Sequence, residues 1–181
     1  MKNDDKNYVS QCLAGDVRAF ETLVDKYEKA LFNVVYRMTK NVNDAEDITQ
    51  TVFIKAYENL GRYNNKYKFF SWIFRIAVNE SLNFLEKQKR STQLNFEPEA
   101  QDNTPEELYS EIELSDQIQT ALMDIDPGYR ILIILKHFEN CSYKEISIIL
   151  NLTEKKVKSR LYTARQLLRE ILLQNGMETN A

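Results

Sequence analysis

Residues 142–165 read SYKEISIILNLTEKKVKSRLYTAR, and the capping and turn signals in this stretch predict two helices joined tightly. Ser142 and Glu145 form a capping box that opens a helix of roughly nine residues. A three-residue turn follows, in which Asn151 tolerates a left-handed backbone and Thr153 caps the next helix. A short helix, a tight turn and a longer basic helix together make a helix-turn-helix motif.

The second helix of this motif is amphipathic, and its outward face suits DNA. Its buried stripe is predicted to contain Val157, Leu161, Ala164 and Leu168. A recognition helix of this kind enters the major groove, where arginines contact phosphates while other side chains face base edges. A solvated bundle helix would show the same stripe, but here the cap, the turn and the basic charge all agree with the motif. The candidate contacts are Lys155, Lys158, Ser159, Arg160, Tyr162, Thr163, Arg165, Gln166 and Arg169.

Two more helices are predicted upstream of the motif, and a linker precedes them. Thr104 and Asp126 each stand as a cap directly before a proline, which marks a helix start. Residues 91–103 show no sustained period and are mostly polar or acidic, as in a flexible linker. The predicted domains are a helical module at 8–91, an acidic linker at 92–103 and a helix-turn-helix module at 104–176.

The N-terminal module is predicted to be a bundle of helices. Apolar residues recur at steps of three and four over residues 16–40, from Val17 to Met38, which predicts an amphipathic helix with these residues on its inward face. A second helix is predicted to start with Asn43 as N-cap and Glu46 at the capping-box position, and Gly61 can end it. Its predicted buried residues are Ala45, Ile48, Val52, Phe53, Ala56, Tyr57 and Leu60. A third helical run covers residues 69–90. Because only four glycines and three prolines interrupt the chain, we expect an all-α fold of two small bundles.

Charge is distributed unevenly along the chain, whose net charge is −3. Residues 91–129 contain ten acids and no Lys or Arg. The rest of the chain holds 24 basic and 17 acidic residues, so it carries about +7 and can attract phosphates.

Several functional classes find little support in the sequence. His137 and Cys141 are four residues apart, but no third metal ligand lies near them. There is also no Gly-rich phosphate loop and no nucleophile elbow, so we expect neither an enzyme nor a cofactor or metal site. Cys12 and Cys141 are too few for a disulfide framework. No apolar run reaches eighteen residues and residues 1–6 are polar, which predicts a cytoplasmic protein.

The aromatic stretch FFSWIFRIA at residues 69–77 follows a basic loop at 62–68. Aromatic rings beside basic side chains suit the stacking of unpaired bases. Aromatic residues at helical spacing are also typical of a core, to which we assign Trp72, Ile73 and Ile76. The loop residues are therefore the better candidates for contact with single-stranded DNA.

Three stretches together resemble the extracytoplasmic-function (ECF) group of the sigma-70 family. DAEDITQTVF at residues 44–53 looks like the segment that docks on the clamp coiled coil of RNA polymerase. FSWIFRIAVN at 70–79 is similar to the stretch that melts and reads the minus-ten element, with the preceding loop forming a pocket for a flipped base. SYKEI at 142–146 and VKSRLYTAR at 157–165 resemble the minus-thirty-five reader.

The resemblance implies specific site residues. Spacing alone would leave the polar face of the second helix in solvent, whereas the resemblance makes it a polymerase-binding surface. The implied polymerase contacts are Asp44, Glu46, Asp47, Ile48, Gln50 and Thr51. The implied minus-ten contacts are Arg62, Tyr63, Asn64, Lys66, Lys68, Arg75, Asn79 and Asn83.

Two positions depart from the family pattern. Asn151 stands where glycine is common, which is a mild change because asparagine tolerates the left-handed backbone. Thr163 stands where arginine or another large residue is usual, so a bidentate base contact is absent and the preferred promoter sequence stays open.

What the resemblance implies is a sigma factor that recruits core RNA polymerase to promoter DNA, with polymerase supplying the chemistry. An anti-sigma protein is an expected partner. The chain would lie with the nucleoid when active and at the inner membrane when such a partner holds it there. Free promoter DNA should bind weakly, because the acidic linker repels phosphates. The alternatives are a stand-alone helix-turn-helix regulator, a protein that sequesters a partner, and a cryptic enzyme.

Overall fold

The computed structural model describes residues 4–94 and 116–175 of the 181-residue chain, with side chains for 5–91 and 117–175. The regular structure in these ranges is helical, which confirms the predicted all-α class. The elements are α1 (Asp4–Leu13), α2 (Val17–Thr39), α3 (Val42–Glu58), a 3-10 turn (Leu60–Arg62), α4 (Phe69–Leu94), α5 (Asp116–Met123), α6 (Pro127–Ile133), a π-helical turn (Ile134–Phe138), α7 (Tyr143–Leu150) and α8 (Glu154–Gln174).

The first module consists of α1 to α4, and its helix starts follow from local capping. Asp16 caps α2 by accepting a hydrogen bond from the Arg18 backbone N–H at 3.0 Å. The predicted N-cap of α3, Asn43, is wrong: Asn41 caps this helix and accepts from the Asp44 N–H at 3.0 Å. Lys40 adopts a left-handed conformation that ends α2 close to its predicted end, and α3 begins two residues earlier than predicted.

Two predicted core residues of the first module lie at its surface instead. Val17 is 55% exposed and Tyr57 is 47% exposed. Both belong to apolar patterns whose other members are buried, such as Leu23 and Leu31 of α2 and Val52 of α3. Val17 is the first residue of α2 and Tyr57 is the second-last residue of α3, so each lies at one end of its helix. The Tyr57 ring centre still lies 5.1 Å from that of Phe20 in α2. The helix α1 has no counterpart among the sequence-based predictions.

The helix-turn-helix motif forms as its sequence predicts. Ser142 and Glu145 make the reciprocal capping box of α7, and Asn151 adopts the left-handed conformation at φ 52° and ψ 46°. Thr153 caps α8 by accepting from the Lys156 N–H at 3.3 Å. Val157, Leu161 and Ala164 are buried and Leu168 is half-buried, so the predicted inward stripe is confirmed. Asp126 likewise caps α6.

The two modules are packed against each other in the described residues. Helix α4 contacts α7, while α2 contacts α5 and α6. The buried apolar residues of both modules belong to one continuous cluster. Helix α4 continues to Leu94, three residues past the predicted end of the first module. The Thr104 cap, the Gly176 stop and the predicted linker from residue 95 onward lie outside the described residues.

Candidate polymerase and nucleic-acid interfaces

The recognition helix α8 presents its predicted DNA contacts to solvent. The buried stripe fixes which way the helix faces, so the residues between its members point outward. Tyr162 is 65% exposed, the largest exposure on this face among the apolar side chains. The predicted contacts are all exposed: Lys155, Lys158, Ser159, Arg160, Tyr162, Thr163, Arg165, Gln166 and Arg169.

Neighbouring side chains orient some residues of this face. Lys158 Nζ lies 5.4 Å from the centre of the Tyr143 ring, which links α8 to the first helix of the motif. Arg165 Nε donates to His137 Nε2 at 3.1 Å. Burial, with Arg165 and Lys136 close by, lowers the pKa of His137, so the ring is neutral and can accept this bond. The hydroxyl of Thr163 donates to the Ser159 carbonyl at 3.3 Å and turns back onto its own helix.

The basic loop before α4 is anchored by aromatic packing. The Tyr63 ring centre lies 5.5 Å from those of Phe69 and Trp72, and its hydroxyl donates to the Tyr67 carbonyl at 2.7 Å. The Lys66 N–H donates to Asn64 Oδ1 at 3.0 Å, which tightens the turn. Tyr63 is therefore half-buried and structural as well as a candidate contact.

Other predicted minus-ten residues lie at the surface around this loop and along α4. The exposed ones are Arg62, Asn64, Lys66, Lys68, Asn79 and Asn83. Asn79 and Asn83 lie one helical turn apart on α4, as predicted. The core assignment is confirmed for Ile73, which is fully buried, whereas Trp72 and Ile76 are half-buried.

Tyr27 lies next to the basic loop and connects the first two helices. Its hydroxyl donates to Asp5 Oδ2 at 2.6 Å and thereby ties α1 to α2. Burial, followed by this hydrogen bond, raises the pKa of Tyr27. A cavity of 740 Å³ opens beside it, lined by loop residues such as Lys66 and Lys68 and by Glu145 of the second module. The basic loop and the helix-turn-helix module thus line the same cavity.

The candidate polymerase surface is the outward face of α3. Glu46, Asp47 and Gln50 are exposed. Asp44 and Thr51 are half-buried. Ile48 is 6% exposed and packs in the core, so it can position the helix but offers little surface to a partner.

Sequence reasoning missed two members of this face. Ile54 is 58% exposed and Tyr57 is 47% exposed, and both continue the line through Asp47 and Gln50 at helical spacing. The signal was present, because Ile54 falls seven residues after Asp47. Tyr57 was not assigned to this face because the sequence pattern predicted that it is buried.

Two predicted minus-ten residues are bonded to the second module. Lys68 Nζ lies 2.7 Å from Glu145 Oε1. Arg75 Nε donates to the Ile148 carbonyl at 3.1 Å, and its Nη2 bonds the same oxygen. Neither bond could be predicted from the sequence, since the partners are more than seventy residues apart.

Within the described ranges, no helix is long and apolar enough to cross a membrane. The same residues contain no group of three or more His, Cys, Asp or Glu side chains that could hold a metal ion.

Two family models match the chain, one in each module. Sigma-70 region 2 matches residues 23–91, and Sigma-70 region 4 matches residues 115–168. The ECF RNA polymerase sigma factor SigW of Bacillus subtilis is 34% identical over 179 residues, covering 92% of this chain and 96% of the relative. The ECF RNA polymerase sigma-E factor of Escherichia coli K12 is 30% identical, covering 90% and 91%.

A solved structure has the same fold over nearly the whole chain. It is CnrH in complex with the cytosolic domain of CnrY, with a TM-score of 0.73 and 25% sequence identity. The similarity covers 94% of this chain and 97% of CnrH. The chain belongs to the ECF group of the sigma-70 family. It therefore binds core RNA polymerase and directs promoter-specific transcription initiation through the minus-ten and minus-thirty-five elements.

Proposed function

We propose that this sigma factor binds core polymerase, the minus-ten element and the minus-thirty-five element through three separate surfaces. The outward face of α3 binds core polymerase through Glu46, Asp47 and Gln50. The loop at residues 62–68 and the outward side of α4 bind the unpaired minus-ten strand. The outward face of α8 docks in the minus-thirty-five major groove. This proposal rests on one observation about α8: every predicted contact is exposed, and the helix buries Val157, Leu161 and Ala164 on its other side.

The chemistry of transcription belongs to polymerase in this proposal. The chain contributes binding energy and orientation, so it is not an enzyme by itself. Because core polymerase works in the bacterial cytoplasm, the active protein would be found there, with the nucleoid. The acidic segment between the modules would lie along a basic path in polymerase rather than against DNA.

A protein partner that restrains this sigma factor is part of the proposal. CnrH was solved in complex with the cytosolic domain of CnrY, and this chain shares its fold. An anti-sigma protein would have to cover surfaces on both modules to block polymerase and DNA together. A membrane-bound partner of this kind would hold the chain at the inner membrane.

The division of surfaces can be tested with holoenzyme and two DNA probes. One probe is a duplex with only the minus-thirty-five element, and the other is a forked DNA with an unpaired minus-ten strand. Lys158→Ala should weaken binding to the duplex and spare the fork, whereas Lys66→Ala should do the reverse. Each loss should be about threefold to tenfold, as for one phosphate or base contact. If either variant lost affinity equally for both probes, the assignment of these two surfaces to separate promoter elements would be wrong.

A further inference from the structure

We propose that His137 is a positioning residue for the minus-thirty-five contact: it holds the Arg165 side chain in the orientation in which the guanidinium can bind a promoter phosphate. This inference rests on the proposed function, which places Arg165 on the DNA-binding face of α8. It gives a role to the one histidine of the chain, which lies outside the recognition helix.

The bond between the two side chains is the first observation. Arg165 Nε donates to His137 Nε2 at 3.1 Å. An arginine carries its N–H donors in a rigid planar fork, and this bond uses only the proton on Nε. The protons on the two terminal nitrogens remain, and they can bind two oxygens of one phosphate together. The bond to His137 therefore fixes the plane of the guanidinium and leaves its terminal edge available to DNA.

The second observation is that the acceptor of this bond carries no charge. Burial, with Arg165 and Lys136 close by, lowers the pKa of His137, so the ring is neutral near pH 7. A carboxylate at this place would offset the charge of Arg165 and compete with a phosphate for it. A neutral imidazole orients the guanidinium and leaves its positive charge uncompensated. The pair thus orients a cation without weakening its attraction to DNA.

The backbone around His137 is held in place within the second module. His137 lies in the π-helical turn, where Ile134 and Leu135 are fully buried. The Cys141 N–H donates to the Leu135 carbonyl at 2.9 Å, and Lys136 Nζ donates to the Cys141 carbonyl at 3.1 Å. Helix α6, which the turn continues, packs on α8. The imidazole is therefore attached to a fixed support beside the recognition helix, and π-helical turns are frequent at functional sites.

The benefit of this orientation is a smaller loss of side-chain freedom when DNA binds. Ordering a long side chain at an interface lowers affinity by about twofold to tenfold. An arginine that is already oriented avoids part of this loss. Because Arg165 and His137 are both exposed, water competes for their bond. We therefore expect His137 to improve binding to the minus-thirty-five element by about twofold to fivefold.

Holoenzyme binding to the minus-thirty-five duplex tests this role with two substitutions at His137. His137→Leu removes the acceptor and should raise the Kd about twofold to fivefold. His137→Gln places an amide oxygen near the position of Nε2, so it should bind the duplex like the wild type. Gln174→Leu, at the exposed end of α8, is the matched control for an added surface leucine and should also bind like the wild type.

The forked minus-ten DNA shows whether a variant has lost more than this contact. All three variants should bind it like the wild type. If His137→Leu weakened both probes, its role would lie in folding or assembly and the proposal would be wrong. Equal duplex Kd values for His137→Leu and His137→Gln would also overturn it, because the acceptor would then make no difference.

A double-mutant cycle with Arg165 separates positioning from direct contact. If His137 acts through Arg165, His137→Leu should leave the duplex Kd unchanged in an Arg165→Ala background. A loss that persists without Arg165 would mean that His137 binds DNA itself, which would overturn the proposal.

The single variant Arg165→Ala distinguishes a failure of this inference from a failure of the proposed function. It should raise the duplex Kd about threefold to tenfold. A loss for Arg165→Ala with none for His137→Leu would reject the inference alone. If Arg165→Ala bound like the wild type, the proposed assignment of Arg165 to the minus-thirty-five element would be wrong, and the inference would fall with it.

Discussion

The guanidinium of Arg130 in α6 donates to the backbone carbonyl of Met38, one residue before the end of α2. Its Nη2 also donates to the carbonyls of Met123 at 2.8 Å and Ile125 at 3.0 Å. Arg130 is 6% exposed, so a single buried cation organises carbonyl groups from both modules. Burial lowers the pKa of Arg130, while Asp126 and Asp124 act in the opposite direction.

Replacing Arg130 should destabilise the whole described core. Arg130→Met keeps much of the apolar stem but leaves three buried carbonyls without their donor. We expect the free energy of unfolding to fall by about 2 to 4 kcal/mol, measured by urea denaturation. Arg160→Met, at an exposed position on α8, should change it by less than about 0.5 kcal/mol. A similar small change for both variants would contradict the organising role of Arg130.

The stability contributed by Glu145 should depend on pH in a defined direction. Its pKa in the folded chain is about 2, below the ordinary glutamate value of 4.5. A lowered pKa stabilises the fold above the ordinary value, and this contribution is lost as the pH falls from 4.5 towards 2. Because the partner Lys68 is 73% exposed and solvent screens the pair, the wild type should exceed Glu145→Gln by about 1 kcal/mol or less at pH 7.

Urea denaturation of both proteins between pH 7 and pH 2.5 measures this difference. The two curves of unfolding free energy against pH should converge at the acid end. A difference that is constant across the range would mean that the charge of Glu145 contributes nothing.

Thr163 should be a determinant of promoter preference. Its short side chain is exposed on α8 and its hydroxyl is engaged by the Ser159 carbonyl. Thr163→Arg adds a side chain that can bind the O6 and N7 atoms of guanine together, a contact worth about 1 to 3 kcal/mol. Wild-type and variant holoenzymes would each select minus-thirty-five duplexes from a pool of random sequences. The sequences that the variant selects should contain a guanine that the wild type does not prefer. Identical selected sequences would place Thr163 away from the bases.

Charge reversal on α3 should weaken assembly with polymerase. Asp47 is exposed on the proposed docking face, in the same line as Ile54 and Tyr57. Asp47→Lys should raise the Kd for core polymerase about tenfold or more, as measured by fluorescence anisotropy of the labelled sigma factor. Glu21→Lys, an equal charge change at an exposed site of α2, should leave the Kd unchanged. Equal weakening by both would indicate a general charge effect.

Local signals in the sequence were sufficient for the helix-turn-helix motif. The caps Ser142 and Thr153 and the left-handed Asn151 act through bonds to backbone atoms within three to five residues, so the sequence contains all the partners. The N-cap of α3 was misplaced because Asn41 and Asn43 are equally suitable caps. The turn at Lys40 determines which of the two asparagines caps the helix.

Burial at helix ends and contacts between the modules were not predictable. Helical spacing says which residues share a face, but not where the neighbouring helix stops, so Val17 and Tyr57 were assigned to the core. The bonds of Lys68 to Glu145 and of Arg75 to Ile148 join residues more than seventy positions apart. Such contacts follow from tertiary packing, for which the local sequence pattern offers no signal.

Transcription in vitro with core RNA polymerase tests the central claim most directly. The purified protein would be added to bacterial core polymerase and a genomic library of promoter fragments, and the transcripts would be sequenced. We expect discrete start sites that share two upstream motifs, at the minus-ten and minus-thirty-five positions. An absence of specific starts, together with tight sequence-specific binding of the protein alone to duplex DNA, would contradict the account and indicate a regulator that acts without polymerase.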